Sequence, residues 1–355
     1  MKILVAMSGG VDSSVAAGIL RDQGHEVVGA TLKLWGGNSD SGCCSVGDVD
    51  DARRVAQVLG LDHHVFNFTE EFDRHVVDPF VAGHAEGRTP NPCIECNRHL
   101  KFDLLFARAA RLGFDAVATG HHARVVRRHG AARLARGVDE AKDQSYVLGF
   151  LDEATLEQLL LPIGEMTKTE VRESANQLGL RVANKPDSQD VCFIEKSAGR
   201  EAFLSSRISL TPATIVDVST GDVIGTTDAA ELVTVGQRRG VAPGRDGERR
   251  FVTRVDLASR RVEVDRLAAV LSAVVQLDPR SINFVATPLA SGAAVIVQTS
   301  AHGRPVNATF ERNADGSCRL VLEVAARPVA SGQTVVMYEL LDPTVVAGAA
   351  IVTRP

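Results

Sequence analysis

Three stretches of this chain carry residue types that do chemistry. The first is Ala6-Met7-Ser8-Gly9-Gly10-Val11-Asp12-Ser13, where an apolar run ends in two glycines, a carboxylate and hydroxyls. Glycine has no β-carbon, so the backbone can turn tightly and bring N–H groups close to an anion. A helix starting near Val11 would aim its positive end at the same point. Asp12 beside a phosphate makes sense when a divalent cation such as Mg2+ lies between them. The Gly-Lys-Ser/Thr ending of common nucleotide loops is absent. The second stretch is Arg88-Thr89-Pro90-Asn91-Pro92-Cys93-Ile94-Glu95-Cys96-Asn97. Its prolines predict a rigid, extended segment. Asn97 reads as the cap of the next helix, which would put Cys96 beside a helix N-terminus that stabilises a thiolate. A C-x-x-C is either redox-active or half of a metal site, and these residues alone leave both open. The third stretch holds Cys192, a lone cysteine in apolar company, a setting that usually means core.

Alternating strands and helices must position these groups. The pattern predicts strands over 2–7, 26–34, 64–68 and 115–119. Helices are expected from Val11, over 49–59 with Asp48 as cap, from a Thr69 cap toward residue 85, and over 97–112. Such alternation implies an α/β fold with a doubly wound parallel sheet. Ligands then lie at the carboxyl ends of the strands, where the Ser8 loop and Thr119-Gly120-His121 fall. Residues 139–205 are more helical, with 167–178 the clearest helix. From 214 onward short β-branched runs dominate, at 214–218, 232–235, 251–255, 261–264, 294–298, 320–324 and 334–337. They predict small β domains, the last barrel-like. The expected division is 1–205, 206–275 and 276–355.

Composition narrows the class. The chain has 355 residues, 45% hydrophobic and 23% charged, as soluble multidomain proteins are. No apolar run reaches the length of a membrane span, and the first strand leaves no room for a signal peptide, so a cytoplasmic protein without a membrane partner is expected. The net charge of −5 is unevenly spread: residues 1–205 carry −6 and residues 206–355 carry +1. Nucleic acid would therefore bind through local basic clusters, at 121–137 and 238–266. Six cysteines without an export signal argue against a structural disulfide set. Cys43-Cys44 sits in a Gly/Ser-rich loop, 36–47, that reads as a lid; His121, His122 and Cys318 read as packing. Lysine is scarce here, which makes Lys142 conspicuous.

The 6–13 loop resembles the SGGxDS pyrophosphate loop of ATP pyrophosphatases, which split ATP into AMP and pyrophosphate. Further segments follow in order: 89–97, Ala118-Thr119-Gly120-His121, Lys142-Asp143-Gln144-Ser145-Tyr146, Lys185-Pro186-Asp187-Ser188-Gln189, Cys192-Phe193-Ile194 and Thr234-Val235-Gly236-Gln237-Arg238-Arg239-Gly240. Together, over residues 6–240, they resemble the tRNA-specific 2-thiouridylases. The resemblance implies an adenine nucleotide alpha hydrolase-like fold. It implies exchange of the 2-oxygen of a tRNA wobble uridine for sulfur. Sulfur cannot expel oxide, but adenylation turns that oxygen into AMP, which can leave. Ala6, Met7, Ser8, Gly9, Gly10, Val11, Asp12, Ser13, Leu32 and Gly120 would contact ATP, with Asp12 helping to hold Mg2+. Cys192 would carry a persulfide delivered by a sulfur-donor carrier protein, and Cys96 would resolve it through a transient disulfide. Asn91, Pro92 and Cys93 would face the target base; Lys142, Asp143 and Gln144 would contact tRNA. Two departures stand out. Cys93 replaces an aspartate of better-studied members, and Cys93, Cys96 and Cys192 together are also a way to hold a [4Fe–4S] cluster. The family's C-terminal Arg-Tyr pair is not evident, and residues 298–303 stand in its place. The competing readings are an amide-forming ATP pyrophosphatase and a non-catalytic iron–sulfur or RNA-binding protein.

Overall fold

A computed structural model describes residues 1–35, 46–187, 191–195 and 197–354. Most of the 36–47 loop read as a lid, with Cys43 and Cys44, lies outside the described residues, as do residues 188–190.

Five parallel strands form the first sheet, in the order β3-β2-β1-β4-β5. They are β1 (Lys2–Ala6), β2 (Glu26–Lys33), β3 (Asp62–Asn67), β4 (Ala116–Thr119) and β5 (Leu159–Leu160). Ile3, Leu4 and Val5 have no exposed surface, as a central parallel strand covered on both faces requires. Helix α1 (Val11–Asp22) packs Val11 and Val15 on one face with α2 (Val46–Leu59). The other face is covered by two long helical runs. The run 69–85 consists of Thr69–Phe72, Asp73–Val77 and Asp78–Ala85; the run 92–111 consists of Pro92–Glu95, Cys96–Leu104 and Leu105–Arg111. The chain order reverses between β2 and β4 about β1, so the loops after β1 and β4 open at the switch point of the sheet.

Three capping expectations are corrected. Asn91, not Asn97, caps the 92–111 run: its Oδ1 accepts from the Cys93 N–H at 3.1 Å, and Pro92 fills the first helical position. Cys93 therefore lies in the first turn, while Cys96 sits a turn further in. Asp48 lies inside α2, and its carboxylate binds Lys185 instead. Thr69 opens its helix without capping it; its amide and hydroxyl donate to Asn67.

A second sheet of four strands spans Ala213–Asp217, Val223–Thr227, Phe251–Asp256 and Arg261–Asp265. The strand expected at 232–235 is absent there: a 3-10 turn, Ala230–Leu232, leads into a loop in which Thr234 N–H bonds the Gln237 side chain. The third sheet has seven antiparallel strands between Ser272 and Ile351. A bridge from Leu277 to Val352 joins its first strand to the end of its last, so the sheet curls on itself. The expected boundary at 275/276 cuts the strand Ser272–Leu277.

The third sheet is packed directly on the first domain. Val336, Tyr338, Val346 and Ala349 share one apolar cluster with Ile94, Phe102, Tyr146 and Leu148. Fully burying one of the valine, leucine, isoleucine or phenylalanine side chains here contributes roughly 1.5–3 kcal/mol.

Candidate active site

The loop after β1 is shaped by two close approaches. Gly9 has φ +70°, and a Cβ there would lie 2.2 Å from the Asp48 carbonyl oxygen. Gly120, after β4, would put a Cβ 2.3 Å from Ser13 N, so only glycine lets these loops meet. Gly10 caps α1 with no side-chain hydrogen bond, which leaves first-turn N–H groups directed at the loop.

A cleft of about 620 Å³ opens at this switch point. Ala6, Met7, Ser8, Gly10, Val11, Asp12, Ser13, Leu32 and Gly120 line it, together with Pro92, Cys93, Cys96, Lys142, Asp143, Gln144 and Cys192. Gly9 and Asn91 do not: Gly9 is packed beneath Asp48, and Asn91 is occupied as a cap. On the 92–111 run, Cys93, Cys96, Asn97 and Lys101 all face the cleft, spaced i, i+3, i+4 and i+8 as one helical face requires. Cys93 is exposed, Cys96 buried and Cys192 half-buried. Ala301 and His302 of the third domain close the far wall.

Sequence reasoning gave no role to one buried cation of the cleft. Lys168 is buried, and its Nζ donates to both Asp12 oxygens at 2.8 Å while lying 2.7 Å from Asp187 Oδ1. One signal was available. Lys168 opens the helix Lys168–Gln177, capped by the Thr167–Glu170 box. A cation at a helix N-terminus opposes the macrodipole, so it needs another reason to be there. Lys185 was also missed; its Nζ donates to the Gly9 carbonyl at 3.0 Å and to Asp48 and Asp51 at 2.7 Å. Seven lysines occur in the chain, and Lys101, Lys142, Lys168 and Lys185 line this cleft.

These cations set the titration of the acids. Burial alone would raise the Asp12 pKa, but hydrogen bonds from His122 and Lys168 override it and hold it below the ordinary value. Asp187 behaves alike: burial works upward, and Lys142 and Lys168 bring it down to about 2. Burial, reinforced by Lys101 and His122, holds the His121 pKa well below the ordinary histidine value, and its Nδ1 lies 2.7 Å from the Thr119 hydroxyl.

The Lys142-Asp143-Gln144 side chains are all engaged inside the molecule. Lys142 binds Asp187 at 2.8 Å. Asp143 accepts from Arg136, Gly137 N–H and both the amide and hydroxyl of Ser145. Gln144 accepts from the His122 N–H at 2.8 Å. Arg136 also reaches Gln298 and stacks 3.7 Å over the Tyr338 ring, so this segment ties the cleft to the third sheet. The basic cluster at 121–137 is neutralised: Arg124, Arg127, Arg128, Arg133 and Arg136 pair with Glu165, Glu157, Asp342, Glu153 and Asp143. In the 238–266 cluster Arg250 is buried against Asp217 and Asp246, whereas Arg238 and Arg239 are exposed.

Asp12 is a hard oxygen donor within the phosphate loop, which suits a magnesium ion shared with phosphates and water. Among the described residues, no group of three or more His, Cys, Asp or Glu side chains is gathered to hold a metal ion. Cys93, Cys96 and Cys192 share the cleft, and among the described residues they are not gathered as such a group. No described helix is long and apolar enough to cross a membrane.

A parallel sheet with a glycine-shaped anion loop at its switch point defines a nucleotide-handling α/β domain. The family comparisons agree. A model of the tRNA methyl transferase HUP domain matches residues 1–196, its PRC-barrel domain 201–266, and an aminomethyltransferase beta-barrel domain 276–352. The tRNA-specific 2-thiouridylase MnmA of Mycobacteroides abscessus is 43% identical over 371 residues, covering 100% of both chains. That of Mycobacterium ulcerans is 44% identical over 347 residues, 95% of this chain and 93% of its own. A solved 4-thiouridine synthetase–RNA complex with bound ATP superposes with a TM-score of 0.36 at 20% identity, covering 54% of this chain and 44% of that one. The chain belongs to the tRNA-specific 2-thiouridylase family.

Proposed function

We propose that this enzyme replaces the 2-oxygen of a tRNA wobble uridine with sulfur, using ATP and a cysteine persulfide. The observation that carries the reading is one cleft lined by both an anion loop and three cysteines. The family models are described in terms of methyl transfer, the curated relatives in terms of thiolation. Methyl transfer needs neither a phosphate loop nor thiols, so the cleft supports thiolation.

The loop 6–13, Leu32 and Gly120 bind ATP, with the α1 N–H groups and Lys168 on its phosphates. Asp12 would hold Mg2+, which supplies further charge neutralisation there. The uridine 2-oxygen attacks the α-phosphorus, the bond to pyrophosphate breaks, and the N3 proton leaves with the pyrophosphate. The terminal sulfur of a Cys192 persulfide then attacks C2 and AMP departs with the oxygen. The Cys96 thiolate attacks the Cys192 sulfur, the S–S bond to the transferred sulfur breaks, and N3 regains a proton. A Cys96–Cys192 disulfide results, and an external dithiol restores both thiols. Asn91, Pro92 and Cys93 lie on the side where the base enters. Lys142, Asp143 and Gln144 brace that wall; any contact they make with tRNA requires exchange of their internal bonds. The persulfide arrives from a donor protein, and the site is cytoplasmic.

The test is ATP-dependent incorporation of labelled sulfur into tRNA. Cys96→Ala and Cys192→Ala should each stop it while pyrophosphate release persists. Thiolation by both variants at the wild-type rate would refute the assignment.

A further inference from the structure

Asn97 carries an anomaly that the chemistry above leaves unused. It is 4% exposed and lines the cleft one residue from Cys96. Its Nδ2 donates to the Val147 carbonyl at 3.2 Å. A carbonyl can only accept, so the amide orientation is fixed. Its Oδ1 is buried and has no hydrogen-bond partner among the described residues. An orphan acceptor in a buried site costs free energy unless a ligand or a water completes it.

We infer that Asn97 reads the target base: its Oδ1 accepts the N3–H of uracil. This rests on the proposed thiolation and adds the determinant of base choice. Three features point to the base rather than the nucleotide's phosphates. The orphan is an acceptor, which repels phosphate oxygens. It shares a helical face with Cys93 and Cys96, where sulfur must meet C2. N3 is the ring atom bonded to C2, so a group holding N3–H fixes where C2 lies in the cleft before the 2-oxygen is adenylated and N3 gives up its proton. The Watson–Crick edge of an extruded base is the edge such pockets read.

The geometry discriminates against cytosine. Its N3 carries a lone pair, which would face the Oδ1 lone pairs. Rotating the amide to offer Nδ2 would turn Oδ1 onto the Val147 carbonyl, leaving two acceptors opposed. A site built to hydrogen-bond one donor rejects the analogue that lacks it, because its own buried group is then left unpaired. Accepting from N3–H also raises electron density on the 2-oxygen, which favours its attack on phosphorus. Asn97 thus acts on the reacting ring itself.

The experiment compares the full-length wild type with Asn97→Leu and Asn97→Ala. Transcripts carrying uridine or cytidine at the target position serve as substrate and competitor. Wild type should bind the uridine transcript more tightly than the cytidine one. Both variants should lose about 10- to 100-fold in thiolation kcat/KM, and their preference for uridine over cytidine should collapse. ATP affinity and thermal midpoint should stay near wild type. The inference is overturned if wild type binds both transcripts equally. It is also overturned if either folded variant keeps wild-type kcat/KM and base preference, which would mean that water alone completes Oδ1. Failure of wild type to thiolate at all would instead overturn the function itself.

Discussion

Replacing Lys168 with methionine removes a cation from between two carboxylates while keeping the length of the side chain. Its Nζ lies 2.8 Å from Asp12 and 2.7 Å from Asp187. At an effective dielectric of about 20, one such contact is worth about 6 kcal/mol of gross attraction. Desolvation opposes most of that, and breaking a buried pair typically costs about 3–5 kcal/mol. Asp12 and Asp187 keep side-chain exposures of 29% and 22%, so water repairs part of the loss. About 2 kcal/mol of stability should disappear. Catalysis should suffer more, because in the proposed reaction Lys168 would face the charge that develops on departing pyrophosphate. Removing one such donor costs about 100- to 1,000-fold in rate. The assay is tRNA-dependent pyrophosphate release at saturating ATP, with thermal unfolding in parallel. Lys168→Arg keeps the charge and should recover part of the rate. Release by Lys168→Met within about threefold of wild type, in a folded protein, would refute the role.

Asp143→Ala should act on folding as well as on RNA affinity. It takes away the carboxylate partner of Arg136 and empties four hydrogen bonds, so about 3 kcal/mol should be lost, read as a lower denaturant midpoint. An unchanged midpoint would show that the brace is dispensable. Asp187 predicts an acid limb. Its folded pKa of about 2 lies below the ordinary 3.8, so its stabilisation is complete above pH 4 or so and is lost as pH falls toward 2. After allowance for solvent screening it amounts to roughly 1–2 kcal/mol. The stability gap between wild type and Asp187→Asn should therefore close over that window; a gap independent of pH would contradict the pairing.

The first half of the fold was legible because its signals are local. An apolar run, two glycines and valines at helical spacing specify β1, the loop and α1 within some twenty residues. The helix at 167–178 was legible for the same reason: Thr167 and Glu170 form its capping box. The Asn91/Asn97 exchange shows the limit. Both residues suit a cap, and Pro92 decides between them, because proline is as much at home in a first helical turn as in an extended segment. Lys168 was given no role, and Asn97 only that of a cap, for a different reason. Their significance lies in their surroundings, Asp12 from 156 residues away for the one and a buried acceptor left without a partner for the other, and no local pattern encodes either. The arginines at 124–136 looked like a free basic surface for the same reason, since Asp342 is 214 residues from Arg128.

The apolar cluster shared by residues 94–148 and 336–349 has a consequence for how the protein is made. On the ribosome the first group emerges well before the second. At about 5–20 residues per second, the interval is roughly 10–40 s. Throughout it, Ile94, Phe102, Tyr146 and Leu148 have no covering sheet, and Arg136 lacks the Tyr338 ring beneath it. The unfinished chain is sticky at that face and presents a cleft without its far wall, Ala301 and His302. A truncated product would keep the anion loop but leave this apolar face bare, which makes it a client for chaperones or proteases.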